Sequence, residues 1–397
     1  MKKKASCPDC GNAPVNHKLE WVSAVLDKFF QPISRPMEWI WRVLEPIASG
    51  PLFNYVTPII MKSLVAVRLA SFKDAPDAKT GGRSRVMWEE AIRRGIRVRE
   101  FRLFHVGQEA FIATYKGQTK TFMGLPRKGT IDSKSLAWMD DKKIMREKFA
   151  EAGIPVAKGG AVSSWRATKK LFNSLSKPVI IKPERGSRSR HTTIHIETLD
   201  DLKKAYKCAK VLSPYLVMEE EHKGFVHRGT LVGGKVAGIL RREPASVVGD
   251  GVHKISELID IENKNPLRQG PIFHTITVTD EVIEELARNN LTTESIPEKN
   301  ITVALGQKAS RGVGGGATDM TDEIHKDNVA MLELVAKVLD DSLVGVDFMM
   351  IDVTRSWREQ PRCGVIECNS MPFIDLHHNP LKGKPRNIAG MVWDLIF

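Results

Sequence analysis

The stretch GVDFMMIDVTRSWREQPRCGVIECNSMP, residues 345–372, constrains the fold more than any other. Two apolar runs in it read as buried strands, yet they carry Asp347, Glu367 and Asn369. An unpartnered buried carboxylate costs on the order of several kcal/mol, so the fold must bring counter-charge to these strands. The period of two in a strand sets Glu367 and Asn369 on one face. A hairpin through TRSWREQPR brings Asp347 beside them on the paired strand. Two carboxylates and an amide oxygen form a hard, all-oxygen donor set that suits Mg2+. Asp and Glu paired with arginines from a basic surplus explain the same residues equally well.

That surplus is real: the net charge is +13, in a chain of 397 residues that is 42% hydrophobic and 27% charged. The composition is globular, with length for two or three domains. The basic residues are spread along the whole chain, with no basic tail, recognition helix or aromatic ribonucleoprotein signature. A nucleic-acid partner is therefore disfavoured against a binder of nucleotide phosphates or acidic substrates. Cys7, Cys10, Cys208, Cys363 and Cys368 follow no regular spacing, which implies no disulfide framework and fits a reducing cytoplasm. The start MKKKASCPDCGNAP has no apolar run behind its lysines, so it does not read as a secretory signal. Residues 46–61 are interrupted by prolines and fall short of the ~20 apolar residues that a membrane span needs.

Residues 1–80 read as an N-terminal extension of short amphipathic helices broken at Pro32, Pro36 and Pro46. These helices pack on the body or on a second subunit. An alternative is a membrane-surface anchor, because Trp21, Trp39 and Trp41 lie among basic residues. Residues 74–84 read as a linker. Residues 81–135 read as a small α/β unit, with a hairpin turn at Lys116-Gly117. Further on come a helix ending at Gly153, the buried strand KPVIIKP, a helix over LDDLKKAYKCAKVL and a strand entering the acids of YLVMEEEHKG. A hairpin around Gly233-Gly234 and a mostly helical, polar stretch over 245–300 precede a helix at 325–340 and the closing hairpin.

Two lysines shift the balance toward the metal. Lys182 ends the KPVIIK strand ahead of the Arg-rich loop PERGSRSRH, a plausible phosphate clamp, and Lys142 opens the helix after WMDD. The acidic MEEEHKG segment reads as a hinge between two subdomains.

Taken in order, DDK with AGIPVAKG, VIIKP, MEEEHKGFVHR, REPASVVGDG, GGATDMTDEIHKDN, VGVDFMMIDV, IECNSMP and HHNPLKGKPRN resemble the ATP-grasp carboxylate–amine ligases of the cyanophycin synthetase-like branch. The resemblance covers roughly residues 85–397. It implies an α/β (α+β) ATP-grasp fold, with two α/β subdomains clasping ATP behind the small pre-domain: a lid at 136–218 and a catalytic subdomain at 219–397. It implies that Lys142 and Lys182 contact ATP phosphates and that Glu219 accepts from the adenine amino group. The backbone of Glu220, Glu221 and His222 would complete that clamp. Asp347, Glu367 and Asn369 would hold two Mg2+ ions, with Mn2+ as a substitute. Arg228 and Arg242 would face a substrate carboxylate or the transferring phosphoryl group.

Three positions depart from the family pattern. The loop after Lys182 has only Gly186 where glycines are expected, and Arg188 and Arg190 replace the backbone cradle as side-chain phosphate ligands. Val226 stands where a ribose-binding acid is expected. SRGVGGG replaces an asparagine-containing loop, giving Arg311 a substrate-facing role. The chain reaches Phe397 without a GKS or GKT sequence, so a P-loop polymerising domain of the cyanophycin synthetase kind is not expected here.

CPDC, with His17 following, has a zinc-like spacing but needs partners from elsewhere. The GVGGGA run fits a substrate loop, and His377-His378 fit either substrate contact or a turn cap. The reading is a cytoplasmic, Mg2+-dependent ligase joining an amino acid or peptide carboxylate to an amine and releasing ADP and phosphate. The basic balance favours an acidic substrate, and the family favours a homo-oligomer. The alternative is a non-catalytic nucleotide-binding scaffold, associated with a membrane surface through its N-terminal helices.

Overall fold

The computed structural model describes residues 7, 15–26, 28–29, 51–104, 106–127, 136–139, 142–184, 190–270, 272–307, 309 and 314–397. Residues 17–26 are helical, and α1 (Pro51–Ala66) follows. Pro32, Pro36 and Pro46, where breaks are expected, lie outside the described residues, as do Trp39 and Trp41. Among the described residues no helix is long and apolar enough to cross a membrane.

Four antiparallel strands, β1 (Ala70–Lys73), β2 (Arg97–Leu103), β3 (Val106–Tyr115) and β4 (Gln118–Met123), form the first sheet in chain order. Its edge strand β1 comes from within the segment read as a helical extension. The β3–β4 turn is at Lys116-Gly117, both at positive φ (45° and 81°), the two-residue geometry that matches strand twist. One face of this sheet packs Met61, Leu64 and Val65 of α1 against Ala70, Phe101 and Ala110. The other covers Trp88 of α2 (Gly82–Arg93) and Trp393 of α9 (Ile388–Ile396), whose indole donates to Met87 O at 2.9 Å. The last helix of the chain thus closes the first sheet.

A second four-stranded sheet has the order β5-β8-β6-β7. It contains β5 (Gly159–Val162), β6 (Val179–Pro183), β7 (Thr193–Ile196) and β8 (Leu216–Glu220), all antiparallel. α4 (Trp165–Ser174) and α5 (Leu199–Lys210) cover it, each started by a side-chain cap from Ser164 or Thr198. α3 (Lys142–Glu151) precedes this sheet and ends at Gly153, which takes φ 76°.

The five-stranded sheet runs β13-β10-β9-β14-β15. Its strands are β9 (Phe225–Val232), β10 (Lys235–Glu243), β13 (Gly316–Asp319), β14 (Leu343–Met350) and β15 (Gly364–Asn369). β9 and β10 turn at Gly233-Gly234, again with both φ positive. α8 (Lys326–Leu339) lies on one face, where Leu231, Ile239, Leu332, Val335, Val346 and Phe348 form the core. The stretch expected to be mostly helical does contain α6 (Ile255–Asn263) and α7 (Asp280–Arg288). It also contains the strand pair β11 (Ser246–Val248) with β12 (Thr302–Ala304), and these elements share a separate apolar cluster.

Candidate active site

Alternation along the central sheet assigns its second face to polar side chains. Arg228 on β9 stands opposite Asp347 on β14, and Asp347 stands opposite Glu367 on β15. Neighbouring residues such as Gly229 and Val346 point the other way, into the core under α8. Val365 and Glu367, two positions apart, would share a face in a regular strand. A β-bulge breaks that rule: Asp347 pairs with Glu367 while Phe348 pairs with Val365, leaving Ile366 as the extra residue. Val365 and Cys368 therefore both enter the core, and Glu367 stays beside Asp347. Asn369, opposite Gly345, shares the Glu367 face.

Asp347 is 5% exposed and Arg228 4%, so neither charge is relieved by water. Arg228 donates from Nε and Nη2 to the two carboxylate oxygens of Asp347, both at 2.6 Å. Burial alone would raise the Asp347 pKa, but the attraction of Arg228 and its hydrogen bonds hold it below the usual value. Glu367 goes the other way. Burial and the adjacent Asp347 charge raise its pKa, against the pull of Lys142 and Arg228. One arginine thus serves two facing carboxylates, and the amide nitrogen of Asn369 is buried without a hydrogen-bond partner. The oxygens of Glu367 and Asn369 make a hard donor set that fits a small hard cation. Asp347, expected as a ligand beside Glu367 and Asn369, already has a counter-charge. Each of its oxygens accepts one hydrogen bond from Arg228, which leaves a further lone pair on each.

The second cluster lies on the β6–β8 pair. Lys182 Nζ is 2.6 Å from Glu219, and Arg146 Nη1 is 3.1 Å from the same carboxylate. Burial opposes ionisation of Glu219, but the two cations lower its pKa nonetheless. The acid expected to accept from an adenine is here paired with the lysine expected to contact phosphate. The remaining hinge residues are also engaged. The N–H groups of Glu220 and Glu221 donate to Lys158 O and Pro178 O at 2.8 and 3.0 Å. The Glu220 carboxylate accepts from Ser176 N at 2.9 Å, and the Glu221 carboxylate accepts from His195 N at 2.8 Å. His222 bonds Arg362 O through Nδ1 at 3.0 Å, while its Nε2 is buried without a hydrogen-bond partner and burial lowers its pKa.

Lys142, half-buried at the start of α3, acts on Glu367 electrostatically, so α3 reaches both acid clusters: Lys142 toward Glu367 and Arg146 onto Glu219. The sequence reading missed Arg146. Its signal was the spacing, since residues four apart share a helix face. Arg242 lies opposite Val226 on β10, donates to Ala309 O and attracts Asp347. Arg190 is half-buried, and its Nε is buried without a hydrogen-bond partner. Arg188 and Arg311 lie outside the described residues. His377, also underrated from sequence, is fully buried with Nε2 2.8 Å from the Thr230 hydroxyl. Gly238 leaves the space, because a Cβ there would approach His377 Nδ1 to 2.6 Å. His378 accepts from Ala389 N at 3.0 Å, a packing role at the start of α9.

No family model matches the chain. Its sequence is 33% identical over 263 residues to the cyanophycin synthetase of Synechocystis sp., covering 65% of this chain and 30% of that protein. It is 31% identical over 316 residues to the glutathione biosynthesis bifunctional protein GshAB of Clostridium perfringens, covering 78% of this chain and 40% of that protein. The chain therefore spans less than half the length of these curated relatives. The bifunctional glutathione synthetase of Pasteurella multocida superimposes with a TM-score of 0.62 at 24% identity, over 79% of this chain and 43% of that one. The paired antiparallel sheets with buried cationic and acidic clusters, together with these likenesses, make the chain an ATP-grasp-fold relative of the cyanophycin synthetases.

Proposed function

We propose that the protein is an ATP-dependent ligase that joins the carboxylate of an amino acid or peptide to an amine, releasing ADP and phosphate. The observation that carries this reading is the facing pair Asp347, buried, and Glu367, half-buried, on the polar side of the central sheet, with Arg228 clamping Asp347 from the strand on its other side. A carboxylate is a poor acyl donor because its leaving group would be oxide. Its attack on the γ-phosphorus gives an acyl phosphate, which an amine then displaces with loss of phosphate. Glu367 and Asn369, with Asp347, would hold Mg2+, which would supply charge neutralisation for the phosphates of ATP. Lys142 and Lys182 orient the phosphates from α3 and β6, and Arg242 and Arg228 face the substrate carboxylate. Residues 136–218 act as the lid and 219–397 as the catalytic subdomain. The net charge of +13 favours an acidic amino acid or peptide as substrate.

The test is phosphate release from ATP and Mg2+ with pooled amino acids and peptides, with mass detection of conjugates. Amine-dependent release that Glu367→Ala abolishes is expected, and unchanged turnover in that variant would remove the metal assignment. The Arg228 clamp on Asp347 favours a second reading, a nucleotide-binding scaffold. It would show stabilisation by ATP without turnover for any pair of acid and amine.

A further inference from the structure

Three side chains from distant parts of the sequence converge beside the β5-β8-β6-β7 sheet. Cys7 Sγ lies 3.7 Å from His191 Nε2, and His17 Nε2 lies 3.3 Å from the same nitrogen. The ligand atoms all fall within 4.8 Å of one another, and this is the one such group of Cys, His, Asp or Glu among the described residues. We infer that Cys7, His17 and His191 hold a zinc ion that pins the N-terminal segment to the β5-β8-β6-β7 sheet.

The distances carry the inference. Zn–N bonds of about 2.0–2.1 Å and a Zn–S bond of about 2.3 Å in a tetrahedron give edges of roughly 3.3–3.4 Å (N to N) and 3.5–3.6 Å (N to S). The 3.3 and 3.7 Å separations are close to those edges. Hydrogen bonding accounts for them less well. His191 Nδ1 is 2.8 Å from the Cys208 carbonyl, so it carries the proton, and Nε2 has a single lone pair. The His17 N–H and the Cys7 S–H would compete for that one lone pair, whereas a cation draws on all three atoms at once. An N–H held by a backbone carbonyl is also the usual support of a zinc-bound imidazole. The ring planes of His17 and His191 stand at 88° with centroids 4.9 Å apart, an edge-on placement that lets both nitrogens point to one centre. Thiolate and imidazole donors select zinc over magnesium.

A second contact fixes the same docking. Lys28, on the helix that follows His17, pairs with the buried Glu184 at 3.1 Å and lies 5.3 Å over the Tyr215 ring. Glu184 directly follows β6, so the Lys28 contact sets the N-terminal segment beside the strand that carries Lys182. Cys10 stands at the C-x-x-C spacing from Cys7 in the sequence and lies outside the described residues.

Metal content of the full chain, purified with zinc and desalted, tests this without ATP or amine, so its result is independent of the ligase reading. About one zinc per chain is expected in the wild type, and less than about one tenth of that in Cys7→Ser and His191→Gln. Cys208→Ser, which touches His191 only from the Nδ1 side, keeps the metal. After exchange for cobalt(II), the wild type shows intense tetrahedral bands with thiolate charge transfer, and Cys7→Ser, whose circular dichroism confirms folding, lacks them. A wild-type chain without zinc, equal zinc in Cys7→Ser, or octahedral cobalt would overturn the site.

Discussion

Arg228 and Asp347, 119 positions apart, meet through two hydrogen bonds of 2.6 Å across adjacent strands β9 and β14. The pair is the neutralising contact of the buried acid. Arg228→Ala leaves Asp347 buried beside Glu367 and should destabilise the fold by about 3–5 kcal/mol in urea titration. Arg228→Leu combined with Asp347→Leu should recover most of that loss. A double variant no better than Arg228→Ala would show that the pair matters through some other contact.

Burial and the adjacent Asp347 charge disfavour the ionised form of Glu367 and raise its folded-state pKa. Such a group favours folding while protonated, and that contribution is lost as pH rises through its folded pKa. Glu367→Gln should therefore raise the melting temperature above pH 7 while lowering ligase turnover by about 100-fold or more. A variant that loses stability at neutral pH would contradict the electrostatic description.

Lys182 serves Glu219 as well as the phosphates proposed for it. Lys182→Met leaves the buried Glu219 to Arg146 alone and should cost about 1–3 kcal/mol. It should also abolish the thermal shift produced by ATP with Mg2+. Arg146→Met should show the same stability loss while retaining part of the ATP shift, measured by differential scanning fluorimetry.

His377 is neutral in its buried position, its pKa pushed by burial from 6.5 to about 3. The unfolded chain takes up a proton near pH 6.5 while the folded chain does not, so stability falls as pH drops through that range toward about 3. Between pH 6.5 and about 5.5 this one group should cost about 1 kcal/mol, rising by about 1.4 kcal/mol per further pH unit. His227, lowered to about 4 by burial, adds in the same direction. His377→Gln, which can still bond Thr230, should flatten the acid limb of the stability curve. An unchanged slope would place the acid sensitivity elsewhere.

Much of this arrangement was legible in the sequence because it rests on local rules. The paired acids inside apolar runs announced β14 and β15, and Lys116-Gly117 and Gly233-Gly234 announced their turns. KPVIIKP announced β6 with Lys182 at its end. What escaped was long-range pairing. Nothing near Asp347 in the chain says that Arg228 will clamp it, nor that Arg146 will reach Glu219 from another element. CPDC looked incomplete for the same reason, since His191 lies 184 positions from Cys7.

The bulge at Ile366 has a last consequence. Ile366 touches no proposed substrate, yet the parity of the residues around it decides whether an acid or a valine looks toward the ligand side of the sheet. Deleting this one isoleucine would force a choice. Either Val365 leaves the apolar layer under α8, or Glu367 turns into it and away from Asp347 and Asn369. The chemistry of the site thus depends on arithmetic at a position that has no chemistry of its own.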